Sequence, residues 1–272
     1  LVHGLQSSPQ VWFPLANEMS LTPEVGGHYQ FYYFFYPTGF PMAYSASHLR
    51  SALEEASDWM RSEGRNDRDR ELILIGHSMG GMLSRMQVIA PGRMFAEAIL
   101  EDEAETLLAM PNDNVVRRAL VFEPNSDVSR VIFMAVPHRG APMASGFIGR
   151  LVRALVKLPT SLVEEVATLA NPFQKSDLLL RLRATSIDSL SPNNRLTQKW
   201  DDLPILAPYH SIIGRHRSRR DGTFSDGVVP YKSSHLPGAE SELIISSDHM
   251  VPLRPEAIAE TKRILTLHRL QN

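Results

Sequence analysis

The chain of 272 residues contains no cysteine. Disulfides, thiolate nucleophiles and Cys-ligated metals are therefore excluded. The compartment is not, because exported proteins also do without cysteine. Charge of one sign is missing too. Lys and Arg number 28 against 30 Asp and Glu, a formal net charge of −2. No global field draws the chain to nucleic acid or to an acidic membrane. There is no run of about 18 apolar residues, so no segment reads as a transmembrane helix. Repeats and low-complexity tracts are absent. No signal peptide is visible, but the chain opens on Leu1-Val2-His3-Gly4 inside what reads as a strand. The expectation is a trimmed domain whose natural start lies upstream, which leaves bacterial cytoplasm, periplasm and secretion all open. What remains is ordinary for a globular protein, with 43% hydrophobic and 21% charged residues. The length suits one large α/β domain or two small ones.

Strand-like and helix-like segments alternate along the chain, which argues for βα units and a mostly parallel sheet. Leu1-Val2-His3, residues 30–36, 71–75, 130–136, 209–214 and 242–246 read as strands. Residues 9–20, 43–62, 79–89 and 254–270 read as helices. In 43–62 the apolar residues Leu49, Leu53, Ala56 and Met60 share one face. Two stretches interrupt the alternation. Residues 97–127, with acids at Glu101, Asp102, Glu103 and Glu105, read as a solvated insertion rather than a metal site. Residues 140–206 carry helix-like segments at 147–158 and 162–169 between prolines, and read as a helical cap or lid over the catalytic edge. The division expected is an α/β core of 1–139 and 207–272 with a cap of 140–206. Phe147 and Leu151, with their apolar neighbours, are either the lining of an acyl pocket or the cap's own core.

The chemistry is concentrated in Leu72-Ile73-Leu74-Ile75-Gly76-His77-Ser78-Met79-Gly80-Gly81. Four apolar residues run into Gly-x-Ser-x-Gly, and a helix-compatible segment follows. A serine on a tight strand-to-helix turn needs small residues two before and two after it. Gly76 and Gly80 occupy those positions. The helix N-terminus beneath Ser78 offers free N–H groups and a positive dipole end, both suited to an oxyanion.

A serine hydroxyl needs a base, and the base needs an acid that holds its tautomer. In a strand-elbow-helix architecture these follow in the order Ser, acid, His. Of the ten histidines, His249 directly follows the strand 242–246 and precedes the closing helix, where the base is expected. His235 is the runner-up. His268 reads as surface, and His28, His48, His210 and His216 as structural or solvated. Asp226, in Ser225-Asp226-Gly227-Val228-Val229-Pro230, is the best-placed acid. Asp221 is its rival, and Asp248 reads as a loop residue. The oxyanion donors expected are the N–H groups of Met79 and of Leu5, the latter turned inward by Gly4. His138 lies at a strand end on the catalytic edge, where it lines the pocket or supports a nearby loop. The basic run 215–220 reads as solvated charge.

These stretches, together with Val136-Pro137-His138-Arg139-Gly140-Ala141-Pro142, resemble the α/β-hydrolase superfamily in its lipase and esterase branch. The Pro-His-Arg-Gly and Asp-Gly-Val-Val-Pro segments are most similar to bacterial lipases and GPI inositol-deacylase-like proteins. The resemblance implies the α/β-hydrolase fold with up to eight strands, of which about six are countable here, starting at the third. It implies a serine carboxylic-ester hydrolase that forms an acyl-enzyme and needs no organic cofactor. A lipid-acting phospholipase, thioesterase or acyltransferase is the alternative, and a non-catalytic binding module the remote one. No calcium ligand pair of the kind some bacterial lipases carry is visible, so no metal is expected. The partner expected is a small-molecule or lipid ester, with transient lipid contact through the cap and no nucleic acid. Oligomeric state is left open.

Overall fold

A computed structural model of the protein describes residues 1–66, 68–141, 195–218 and 220–271, together with positions 160 and 164. The strands are β1 (Leu72–His77), β2 (Val128–Met134), β3 (Tyr209–Gly214), β4 (Arg217–Ser218), β5 (Phe224–Ser225) and β6 (Ser241–Ile245). β1, β2, β3 and β6 form a four-stranded parallel sheet in that order, and β4 pairs antiparallel with β5.

The described helices are α1 (Phe13–Leu21), α2 (Pro23–Gly26), α3 (Met42–Ser62), α4 (Met79–Arg85), α5 (Met94–Leu100), α6 (Ala104–Ala109), α7 (Val115–Leu120), α8 (Arg195–Trp200), α9 (Tyr231–Ser234) and α10 (Pro255–Gln271). They cover both faces of the sheet. Val131 and Phe133 of β2 join a cluster with Met82 and Leu83 of the elbow helix, Met86 just after it and Leu49 of α3. The alternate residues Ile132 and Met134 join Leu15 and Met19 of α1 and Ile264 and Leu265 of α10. Side chains alternate across a strand, so a strand covered on both faces must be apolar throughout. This is why residues 131–136 read as one unbroken hydrophobic run.

Two expected strands shrink to single bridges. Val2 pairs in parallel with Gly76 on one side and with Phe34 on the other. Leu1–His3 is only the stub of a strand, and the aromatic segment 30–36 meets a neighbour only there. A segment paired through a single residue builds no ladder, whatever its β-propensity. Tyr32 and Phe35 are accordingly exposed. The helix expected over 79–89 stops at Arg85.

Residues 97–127 are not a solvated insertion. They fold into the end of α5, a 3-10 turn, α6 and α7. Ile99, Leu100, Leu107, Val116, Ala119 and Leu120 are buried in the main core. The acidic side chains lie on the outer rim, where Glu105 pairs with Arg93. Six- and seven-residue helices are too short to display a clear 3.6-residue period, which is why the sequence reads as loop.

His268 is also not a surface residue. It is 5% exposed. Its Nε2 lies 2.9 Å from Glu71 Oε2, and its Nδ1 accepts from Arg130 Nε at 3.3 Å. Arg130, itself buried, also donates to Gln271 Oε1 at 2.9 Å and contacts His210 Nε2 at 2.7 Å. This network fastens the end of α10 to the lower edge of the sheet. The expected cap helices at 147–158 and 162–169, with Phe147 and Leu151, lie outside the described residues.

Candidate active site

Ser78 joins β1 to α4 with φ 53° and ψ −125°. A β-carbon in that region is strained by about 1–3 kcal/mol. The surroundings enforce it. The Ser78 N–H donates to Met134 O at 3.0 Å, and its carbonyl accepts from Gly81 N at 3.0 Å. A Cβ built on Gly76 would lie 2.5 Å from Gly81 Cα, and one on Gly80 would lie 2.2 Å from Val2 O. Gly81 is a third obligatory glycine, because its Cβ would fall 2.0 Å from Val136 Cγ2. The small residues let strand, helix and the Leu1–His3 stub converge beneath the serine.

The turn that follows this stub abuts Ser78 directly. A Cβ on Gly4 would sit 3.0 Å from Ser78 Cβ. The turn is held by Tyr36 Oη donating to His3 O at 2.7 Å and by Gln6 N donating to Thr38 Oγ1 at 3.3 Å. Leu5 follows Gly4 in this turn. Met79 is the first residue of α4, where an N–H has no acceptor inside the helix.

The three residues expected to act together are brought together. His249 Nε2 lies 3.0 Å from Ser78 Oγ, and His249 Nδ1 lies 2.7 Å from Asp226 Oδ2. They come from three separated parts of the chain. Asp226 follows β5, and His249 follows β6. Asp226 is 2% exposed, and its other oxygen, Oδ1, accepts from Val228 N at 2.8 Å and Val229 N at 2.6 Å. These bonds aim Oδ2 at the imidazole. Gly214, at the end of β3, makes room: a Cβ there would meet Asp226 Cβ at 2.9 Å and Ser247 O at 2.9 Å. The His249 loop is clasped by Arg254, which donates to Ser247 Oγ at 3.0 Å and Asp248 Oδ1 at 2.9 Å.

The rivals are occupied elsewhere. Asp221 accepts from Thr223 in its own turn. Asp248 caps Met250 N at 3.1 Å besides its pairing with Arg254. His235 Nδ1 lies 2.6 Å from Glu242 Oε2. In the basic run, Arg217 and Ser218 form β4 of the small hairpin, exposed to solvent.

His138 is fully buried. Its carbonyl accepts from Trp200 Nε1 at 2.7 Å, and its ring packs edge-on against Phe133 at 4.8 Å between centroids. Neither ring nitrogen has a hydrogen-bond partner among the described residues. Burial, then the charges of Arg85 and Arg139, hold its pKa well below the ordinary histidine value. His138 is thus packed beneath α8 and against β2.

Sequence reasoning passed over His77, which lies between the Ser78 turn and the His249 loop. It is buried, and its Nε2 lies 2.8 Å from the backbone oxygen of His249. The only signal was a polar residue closing an apolar strand. Among the described residues no group of three or more His, Asp or Glu side chains is arranged to hold a metal. None of their helices is long and apolar enough to cross a membrane.

The family model described as alpha/beta hydrolase family matches residues 1–261, and the chain belongs to that family. No curated protein matches it in sequence. Among solved structures it is similar to EstA from Clostridium botulinum, at 12% identity over 97% of this chain and 86% of that one, with a TM-score of 0.52. The mature form of the lipase BlEst2 from Bacillus licheniformis shares 17% identity over 97% of this chain and 89% of its own, with a TM-score of 0.46. Phospholipase PlaB from Legionella pneumophila shares 15% over 86% of this chain and 44% of its own, with a TM-score of 0.47. At 12% identity the likeness to EstA is one of fold.

Proposed function

We propose that this alpha/beta hydrolase is a serine carboxylic-ester hydrolase working through Ser78, His249 and Asp226. The observation that carries the reading is the relay of contacts from Asp226 Oδ2 to His249 Nδ1 at 2.7 Å and from His249 Nε2 to Ser78 Oγ at 3.0 Å, ending on a strained elbow serine. A carboxylate that accepts at Nδ1 fixes the proton there, leaving the Nε2 lone pair to take the serine proton.

In this mechanism Ser78 Oγ attacks the ester carbonyl as His249 accepts its proton. The N–H groups of Leu5 and Met79 hold the oxyanion. A donor of this kind contributes about 3 to 4 kcal/mol to the transition state. The imidazolium is stabilised by Asp226, then protonates the departing alcohol. Water, deprotonated by His249, attacks the acyl-enzyme and releases the acid. The serine chemistry requires no organic cofactor or metal.

Hydrolysis of p-nitrophenyl esters, with acyl chains from acetate to palmitate, tests the proposal on wild type and Ser78→Ala. Loss of the nucleophile lowers turnover by several orders of magnitude. The chain-length optimum separates an esterase from a lipid-acting enzyme. Equal activity in both proteins overturns the assignment.

A further inference from the structure

We propose that His77, the residue immediately before the nucleophile, is a positioning residue that holds the catalytic base by hydrogen-bonding the backbone oxygen of His249. The inference rests on the serine-hydrolase reading and deepens it. A backbone carbonyl only accepts, so the contact at 2.8 Å assigns the proton of His77 to Nε2. The His77 Nδ1 is then a bare lone pair, and it has no partner among the described residues. It faces the oxyanion turn, where a Cβ on Gly4 would lie 3.1 Å from it. The ring therefore sits between the two loops that flank Ser78, the base loop on one side and the His3–Leu5 turn on the other.

The rest of the clasp on the base loop is of a different kind. Arg254 grips Ser247 and Asp248 from the solvent side. Asp226 orients the imidazole but does not fix the backbone that carries it. Among the described residues, His77 is the side chain that bonds the main chain of His249 itself, and it does so from the elbow strand. Its own backbone is rigid, with N–H donating to Val2 O at 3.1 Å and with Gly76 pressed against α4. The serine and the backbone of its base are thereby referenced to one strand end, His77-Ser78. The two imidazoles lie 4.9 Å apart between centroids, so a charged His77 would oppose the imidazolium that forms on His249. Burial first, then the charge of His249, pushes the His77 pKa down to about 3, which keeps this neighbour neutral.

The test compares side chains of similar length with and without a donor. Glutamine at 77 can present an N–H near the same point, whereas methionine and leucine cannot. Labelling by a fluorophosphonate reports the nucleophile and base without assuming the natural ester. Wild type, His77→Gln, His77→Met, His77→Leu and Ser78→Ala are compared for labelling rate, for kcat and KM on p-nitrophenyl butyrate, and for thermal midpoint.

The expectation is that Gln stays within about threefold of wild type. Met falls about 10- to 100-fold in labelling rate and kcat with KM little changed, the penalty for a catalytic group displaced by roughly an ångström. The Leu variant gives the same reading should the Met variant not fold. Met or Leu labelling at the wild-type rate overturns the proposal. So do Gln and Met slowed equally, or a loss that appears in KM alone. A wild-type protein that takes no label overturns the serine-hydrolase reading and this inference with it, whereas labelled wild type with unaffected Met refutes only the inference.

Discussion

Asp226→Asn removes one charge and almost no volume, and its outcome can be worked from four contacts. Oδ1 of Asp226 accepts from two backbone N–H groups, at Val228 and Val229. An amide NH2 cannot replace that oxygen, because donor would face donor. The asparagine oxygen must therefore stay on the two N–H groups, and its NH2 must occupy the Oδ2 position, 2.7 Å from His249 Nδ1. There it donates, so Nδ1 has to accept and the imidazole proton moves to Nε2. The base then points an N–H at Ser78 Oγ across 3.0 Å and cannot take its proton. A wrong tautomer of this kind costs about 10⁴ in turnover, which is about 5.5 kcal/mol of barrier.

Stability should hardly change in this variant, since both N–H groups keep an acceptor. Asp226→Ala is the contrast. It strands two buried donors, each costing about 1–3 kcal/mol. Initial rates on p-nitrophenyl butyrate and urea midpoints measure both quantities. An Asn variant within tenfold of wild type, or Asn and Ala variants equally unstable, would refute the tautomer argument.

Three further outcomes follow from the same geometry. Ser78→Gly should be inactive yet more stable than Ser78→Ala, because glycine adopts φ 53° without the strain of about 1–3 kcal/mol; differential scanning calorimetry giving a lower midpoint for Gly contradicts the elbow strain. Gly80→Ala would drive a methyl to 2.2 Å from Val2 O and 2.4 Å from His3 O, both backbone atoms. It should lose at least about 3 kcal/mol in urea unfolding, since overpacking against backbone has no rotamer escape. The buried histidines set an acid limit. Burial holds His77 at about 3 and His210 at about 4, and lowers His138 as well. Their folded values lie below the unfolded value of about 6.5, so the unfolded chain takes up protons first. Stability is therefore full above about pH 6.5 and is lost progressively as pH falls toward about 4. A thermal midpoint that stays flat over that window would contradict it.

The elbow was legible in the sequence because its constraint is local. A serine turning between strand and helix needs Gly76 and Gly80 whatever surrounds it, and an apolar run before it needs a sheet covered on both faces. The order Ser78, Asp226, His249 was legible for a similar reason, since the connections after successive strands of a parallel sheet emerge at one edge, and Asp226 lies in the connection after β3 that carries the β4–β5 hairpin. The alternating pattern likewise announced the α/β layers.

Other features had no local signature. Residues 97–127 were misread because their helices are stabilised by burying Leu107, Val116 and Leu120 in a core assembled from elsewhere, not by their own periodicity. His268 was misread because its partners, Glu71 and Arg130, come from the far side of the sequence. Gly214 looked like an ordinary strand-end glycine until Asp226 closed upon it. By itself, then, the sequence placed Ser78 on a strand-to-helix elbow and Asp226 and His249 in loops after later strands, since backbone sterics and strand periodicity act within a few residues. Only the tertiary structure decided the pairing of His249 with Asp226 and Ser78 and the place of His77, because those partners are brought together by folding from more than twenty residues away.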